Sequence, residues 1–242
     1  AAEWDSARPC WTLTIDCADG GTTSLVCRFV YSCTGYYNYD AGHMPDFDGV
    51  DDFQGRLVHP QHWPQDLDYR DRQVVVIGSG ATAITLVPAM AKTAAKVTML
   101  QRSPTYVVSQ PAVDTSAERL RRWLPAVAAY SLTRWKNVTL QAITFYFSRR
   151  YPELVKRLLR KWVGLQLGDK FDLDRHFSPR YNPWDQRLCV APDGDLFRAL
   201  RRGAAAIVTD RISAFTAKGI QLESGEHLDA DIVVSATGLE ML

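Results

Sequence analysis

Two local arrangements in this 242-residue chain have the residue types and spacing to do chemistry. The first is Gly78-Ser79-Gly80-Ala81-Thr82-Ala83, which reads G-x-G-x-x-A between the apolar run Val74–Ile77 and "ATAITLVPAMAKTA", a helical stretch despite Pro88. Where such a turn joins a strand to a helix, the first glycine permits the sharp bend and the second lets the backbone approach a pyrophosphate. The small third residue allows close helix–strand packing, and N–H groups at the helix start hold the phosphates. All six residues are candidates for binding a dinucleotide; the plainer alternative is a tight turn without a ligand.

The end of the next strand, "KVTML", selects the nucleotide. An acid there, about twenty residues on, would bind a ribose 2′-OH. Here the chain reads Gln101-Arg102-Ser103. A guanidinium pairs with a 2′-phosphate and a hydroxyl adds a hydrogen bond, so Arg102 and Ser103 point to NADPH. An ordinary surface arginine is the competing reading.

The second arrangement is "FQGRLVHPQHWP", Phe53 to Pro64, too irregular for a helix and stiffened by Pro60 and Pro64. It lies just ahead of the glycine turn and suits a hinge. His59 and His62 as metal ligands would need a third ligand nearby in sequence, and none is obvious, so no metal is expected.

These residues must be positioned by a β-turn-α-β unit of a parallel, doubly wound sheet. Before it, "CWTLTIDC" and "SLVCRFVYSC" read as strands around the turn "ADGGTT", the second expected to be the more buried. After it, residues 117 to 167 turn helical and basic, with Arg and Lys far outnumbering Glu118 and Glu153. A solvated basic face with Trp123, Trp135 and Phe145 packed inward is expected; an anionic partner or a membrane surface is the alternative. The final third returns to β, with a strand at "AAIVTD", hairpin turns at Lys218-Gly219 and Ser224-Gly225, and a buried strand "DIVVS". Apolar strands run into Thr-Gly twice, at Thr34-Gly35 and Thr237-Gly238.

Composition sets bounds. The chain is 46% hydrophobic with a net charge of +1, so no global signal points to nucleic acid. Five cysteines form no CxxC and read as thiols in a reducing compartment, which makes a cytoplasmic protein the expectation. No apolar run is long enough to span a bilayer.

Taken together, the motifs resemble those of class B flavin-containing monooxygenases, in particular type I Baeyer–Villiger monooxygenases. Phe53, Gly55, His59, Trp63 and Pro64 match F-x-G-x-x-x-H-x-x-x-W-P without a mismatch. "GSGATA", "QRSPTY", "YNPWDQRLC" and "SATG" follow in the family's order. The resemblance implies an α/β, two-dinucleotide-binding-domain flavoprotein fold, with a three-layer Rossmann-like NADPH domain and a helical insertion. It implies FAD and NADPH as cofactors, and O₂ inserted into a ketone or used to oxidise a sulfur compound such as a thioamide, through a C4a-peroxyflavin. It places His59 in a linker between the nucleotide domains and Arg187 over the flavin as a fixed positive charge. An ion pair with Asp185 is the structural alternative for Arg187. The family's usual lysine before this arginine is Gln186 here, which leaves more of the 2′-phosphate recognition on Arg102.

The family's N-terminal G-x-G-x-x-G is not among these residues, and the chain stops after "SATGLEML". The expectation is therefore a fragment: residues 1–47 from an FAD domain, 48–212 an NADPH domain with its insertion, and 213–242 a return to the FAD domain. Two other functions compete. A flavin disulfide reductase needs a redox cysteine pair and is disfavoured. A non-catalytic NADPH-binding module stays open.

Overall fold

The computed structural model describes residues 1–168 and 170–241. The chain divides into two compact units, residues 1–38 together with Met241, and Tyr39–Glu240. The first unit is an antiparallel meander of β1 (Ala2–Asp5), β2 (Cys10–Asp16) and β3 (Thr22–Cys27). Gly20, at φ 82°, makes the β2–β3 turn, and Cys17 and Gly21 close it with a 2.7 Å backbone hydrogen bond. The expectation of a buried second strand is not met. β3 ends at Cys27, and Leu25 and Val26 are exposed, because the meander is a single layer of strands.

β4 (Tyr37–Gly42) follows, and the larger unit is built on a parallel sheet of order β10-β7-β6-β14-β5. Its strands are β5 (Arg56–Val58), β6 (Gln73–Ile77), β7 (Lys96–Gln101), β10 (Ala205–Thr209) and β14 (Ile232–Ser235). The run Val74–Ile77 is buried on both faces because strand side chains alternate. Val74 and Val76 meet α1 (Ala81–Met90) and α6 (Asp195–Arg201) through Ile84, Val87, Leu196 and Phe197. Val75 and Ile77 face Phe215, Ile220 and Leu222 of an antiparallel sheet, β11 (Ile212–Thr216), β12 (Gly219–Leu222) and β13 (His227–Asp229). Helices, parallel sheet and antiparallel sheet make three layers.

The expected boundaries at residues 47 and 212 do not coincide with this division. β14 lies between β6 and β5 in the central sheet, and residues through Glu240 cluster with the glycine-turn unit. β15 (Leu239–Met241) ends the described chain.

Between β8 (Tyr106–Gln110) and β9 (Leu188–Pro192), which pair in parallel, lie α2 (Thr115–Trp123), α3 (Ala126–Arg150), α4 (Pro152–Leu167) and the short α5 (Leu173–Phe177). Asp114 caps α2 and holds Lys136 of α3 at 2.7 Å. That ammonium is the main cause of a carboxyl held far below the usual range. α4 buries Val163 and Leu167 in the main core. The expected inward packing of the helical aromatics is corrected: Trp123, Trp135 and Phe145 are 85%, 66% and 49% exposed. α3 buries only Ala129 and Ser148, since its apolar residues surround the helix rather than forming one stripe.

Candidate functional site

The glycine turn opens onto a cleft of about 840 Å³ along the carboxyl edge of the parallel sheet, where ligands bind in open α/β folds. Gly78 has φ 131°, and a Cβ there would lie 2.5 Å from the carbonyl oxygen of Ala236. Its N–H donates to Leu100 O at 2.8 Å, which fixes the bend. At Gly80 an added Cβ would meet nothing within 4 Å, so open space lies directly against the backbone. Gly80 is also the N-cap of α1, and no side chain caps that helix. Ala81 and Thr82 line the cleft, while Ala83 is fully buried against the core. An uncapped helix start behind a close, unobstructed backbone fits a pyrophosphate, and these residues could hold one nucleotide.

Ser79 faces inward. Its hydroxyl meets Thr105 Oγ1 at 2.8 Å and donates toward Ser103 O at 3.3 Å. Arg187 closes this network, donating from Nε to Thr105 Oγ1 at 3.2 Å and from Nη2 to Ser79 Oγ at 3.3 Å. Beneath them Cys189 is buried, which raises its thiol pKa.

Asp185 is not the partner of Arg187: it pairs with Arg149 of α3. Trp184, at φ 71°, sets its ring edge-on to Phe145 at 5.8 Å. Tyr106 donates to Tyr181 O at 2.8 Å, and Tyr181 donates to Arg187 O at 3.0 Å. Burial pushes the Tyr106 phenol up to about 12, so it stays a donor. The segment that presents Arg187 is thus pinned to β8 and to the helical insertion.

Arg102 and Ser103 line the cleft at the exit of β7, as does Arg187. Gln186 is exposed and is not among the lining residues, so the structure does not bring it to the others. Gln101, at the position where an acid would meet a ribose, is buried and turned away. Its amide donates to His176 O and Thr209 Oγ1, both at 2.8 Å.

The Phe53–Pro64 segment has a different task from the cleft. Phe53 packs edge-on against Phe215, and a Cβ on Gly55 would strike the Phe53 ring at 2.3 Å and Asp231 O at 2.5 Å. Trp63 packs on the main core, and Pro64 O accepts from Leu67 N at 3.3 Å. His59 Nδ1 accepts the Gln61 N–H at 3.2 Å, so Nε2 carries the proton and donates to Gly238 O at 2.9 Å. Gly238 O also accepts from His43 N, and Thr237 Oγ1 donates to His43 O. The loop therefore ties the turn at Thr237-Gly238 to the chain after β4. Among the described residues no three of His, Cys, Asp and Glu gather to hold a metal ion.

Sequence reasoning missed Thr105, His43, Gly42 and Arg211. Thr105 lay in a quoted motif, but only the fold shows its hydroxyl beneath Arg187.

The fold has known counterparts. It superimposes on the open crystal structure of cyclohexanone monooxygenase with a TM-score of 0.70 at 22% identity, covering 99% of this chain and 53% of that one. The structure of OTEMO in complex with FAD and NADP gives 0.70 at 20% identity, covering 100% and 52%. The chain thus matches about half of the two-domain flavoprotein fold of those structures.

Similarity in sequence points the same way. The Flavin-binding monooxygenase-like description matches residues 5–117. The FAD-containing monooxygenase EthA of Mycobacterium tuberculosis (strain CDC 1551 / Oshkosh) is 52% identical over all 242 residues, which span 49% of its length. The probable FAD-binding monooxygenase AlmA of Acinetobacter baylyi is 54% identical over the whole chain and 48% of its own length. The chain is similar along its whole length to flavin-binding monooxygenases, and it spans about half the length of the curated relatives it matches.

Proposed function

We propose that the protein carrying this chain is an FAD-dependent monooxygenase that uses NADPH and O₂ to insert oxygen into ketones or to oxidise sulfur compounds such as thioamides. The observation that carries the reading is the uncapped glycine turn opening on the cleft, with Arg102 and Ser103 at the exit of the next strand. Names of relatives with FAD-containing function support the flavin. NADPH fits the residues present: the turn holds the pyrophosphate, Arg102 the 2′-phosphate, and Arg187 places a fixed charge at the cleft. When bound, NADPH supplies a hydride.

FAD does not find a pyrophosphate cradle in these residues, since Gly78–Ala83 is the one such turn in the 242-residue sequence. The chain by itself would bind NADPH and stay colourless. We place the protein in the cytoplasm, where its free cysteines remain thiols.

The test is oxygen uptake by the full protein with NADPH and with NADH over a panel of ketones and thioethers, beside a visible spectrum of residues 1–242. Uptake that needs NADPH and an organic acceptor supports the proposal. A yellow chain that keeps stoichiometric flavin through gel filtration would mean the glycine turn holds flavin instead.

A second role has its own observation. α2–α4 carry many arginines and lysines beside exposed Trp123, Tyr130, Trp135 and Tyr146, a composition that suits peripheral attachment to an anionic membrane surface. Among the described residues no helix is long and apolar enough to cross one. Co-sedimentation with phosphatidylglycerol vesicles, absent with phosphatidylcholine, is the expected result.

A further inference from the structure

β7 and β10 are adjacent parallel strands whose last register pair is Gln101 with Thr209. Asp210 N–H then donates to Gln101 O at 3.0 Å. Both strands therefore release the chain at the same edge, and the residues that follow, Arg102 and Arg211, line the same cleft as Gly78–Thr82. The backbone around Arg211 is held on both sides. Asp210 Oδ1 accepts its N–H at 2.7 Å, and its carbonyl accepts Glu223 N–H at 3.0 Å.

The two guanidiniums are unlike most arginines near ordered acids here. Arg149 and Arg160 are committed to Asp185 and Asp174. Among the described residues neither Arg102 nor Arg211 has an ion-pair or hydrogen-bond partner for its side chain. Arg187 is already spent on Ser79 and Thr105 beside the turn. Asp46, Asp210 and Glu223 also line the cleft, so Arg102 and Arg187 alone would leave it net negative. Such a lining would repel an extra phosphate. Asp210 is partly occupied, with Ser224 holding its carboxyl below the usual range and Oδ2 accepting Ser224 N–H at 3.3 Å.

The strand order places β7 and then β10 to one side of the glycine turn on β6. In this fold the end of the second strand reads the adenosine ribose of a dinucleotide whose pyrophosphate sits at the turn. We propose that Arg211 is a second 2′-phosphate ligand, forming with Arg102 a two-guanidinium clamp that sets the preference for NADPH over NADH. This rests on the NADPH reading above. It takes up the share of recognition that Gln186, outside the cleft lining, does not supply. Two forks of N–H donors match a dianionic phosphate better than one.

The test is calorimetric titration of the full protein with 2′,5′-ADP and with 5′-AMP, which differ by the 2′-phosphate and involve no nicotinamide chemistry. Arg211→Ala is expected to weaken 2′,5′-ADP about tenfold and to leave 5′-AMP unchanged. Arg211→Lys should recover part of the loss, and Arg102→Ala/Arg211→Ala should bind the two probes alike. Wild-type affinity for 2′,5′-ADP in Arg211→Ala, with a loss in Arg102→Ala, overturns the clamp and leaves the NADPH reading standing. Equal losses for both probes also overturn it. A wild-type protein that does not distinguish the probes overturns the clamp and the NADPH reading together.

Discussion

His59 and Gly238, 179 residues apart in sequence, are joined by a 2.9 Å hydrogen bond from the imidazole Nε2 to the carbonyl oxygen. The ring reaches that carbonyl because Gly42 lets it pass: a Cβ on Gly42 would sit 1.9 Å from His59 Cε1. Gln61 reinforces the contact by donating from Nε2 to Tyr39 O at 3.0 Å. The segment around His59 is therefore a clasp between the chain after β4 and the turn at Thr237-Gly238, and His59 has no direct place in the cleft lining.

Gly42→Ala should destabilise the protein by about 1–3 kcal/mol, because the new methyl must displace a packed ring. His59→Ala removes the ring and its hydrogen bonds. The pair should be strongly non-additive, since the methyl no longer clashes once the ring is gone. Chemical denaturation of both single variants and the double variant checks this. Additive losses would mean that the ring and Gly42 do not meet.

Arg102 and Arg187 should differ in what they recognise. Arg102→Ala should weaken NADPH by roughly 1.5–3 kcal/mol, at least about tenfold, and leave NADH nearly unchanged. Arg187 is anchored on Ser79 and Thr105, beside the phosphate turn and not at the strand exit. Arg187→Ala should weaken NADPH and NADH by similar factors. Fluorescence titration with each nucleotide separates the patterns, and the opposite pairing of losses would reverse the assignment.

Phe197 and Leu140 test where the core lies. Phe197 is 1% exposed between α1 and the sheet, and its truncation to Ala should cost about 3–5 kcal/mol. Leu140 on α3 is 60% exposed, and Leu140→Ala should stay within about 0.5 kcal/mol. A large loss at Leu140 in thermal or urea unfolding of the full protein would mean that α3 is covered there.

His176 gives the protein a pH-dependent weakness. Its Nδ1 meets Thr209 Oγ1 at 2.7 Å, and burial, aided by Arg175, lowers its pKa below the ordinary 6.5. The folded state thus refuses a proton that the unfolded state accepts. Its stabilising contribution is fully present above pH about 6.5 and is lost as pH falls through the lower folded value. Urea midpoints between pH 7.5 and 5 should fall, and His176→Gln should flatten that slope. Carboxylates held low by partners, such as Asp174 beside Arg160, act in a more acidic window.

What the sequence determined by itself was local. The run Val74–Ile77 declares a strand buried on both faces, and the spacing of Gly78, Gly80 and Ala83 declares the turn that follows. In both cases the informative residues are neighbours whose backbone and packing demands are read within a dozen positions. The match of Phe53, Gly55, His59, Trp63 and Pro64 to a pattern was equally plain, but not the reason for each residue. That reason lies in Phe215, Asp231 and Gly238, brought there by the sheet. Tertiary structure alone decided that Gln101 turns inward while Arg102 lines the cleft, that Asp185 pairs with Arg149 and leaves Arg187 to Ser79, and that Arg211 leaves β10 beside Arg102. It also decided that Trp135 stays exposed, because an apolar helix is buried only where another element meets it. Each of these outcomes depends on which distant strand or helix lies alongside, and strand register and layer packing set that, not spacing along the chain.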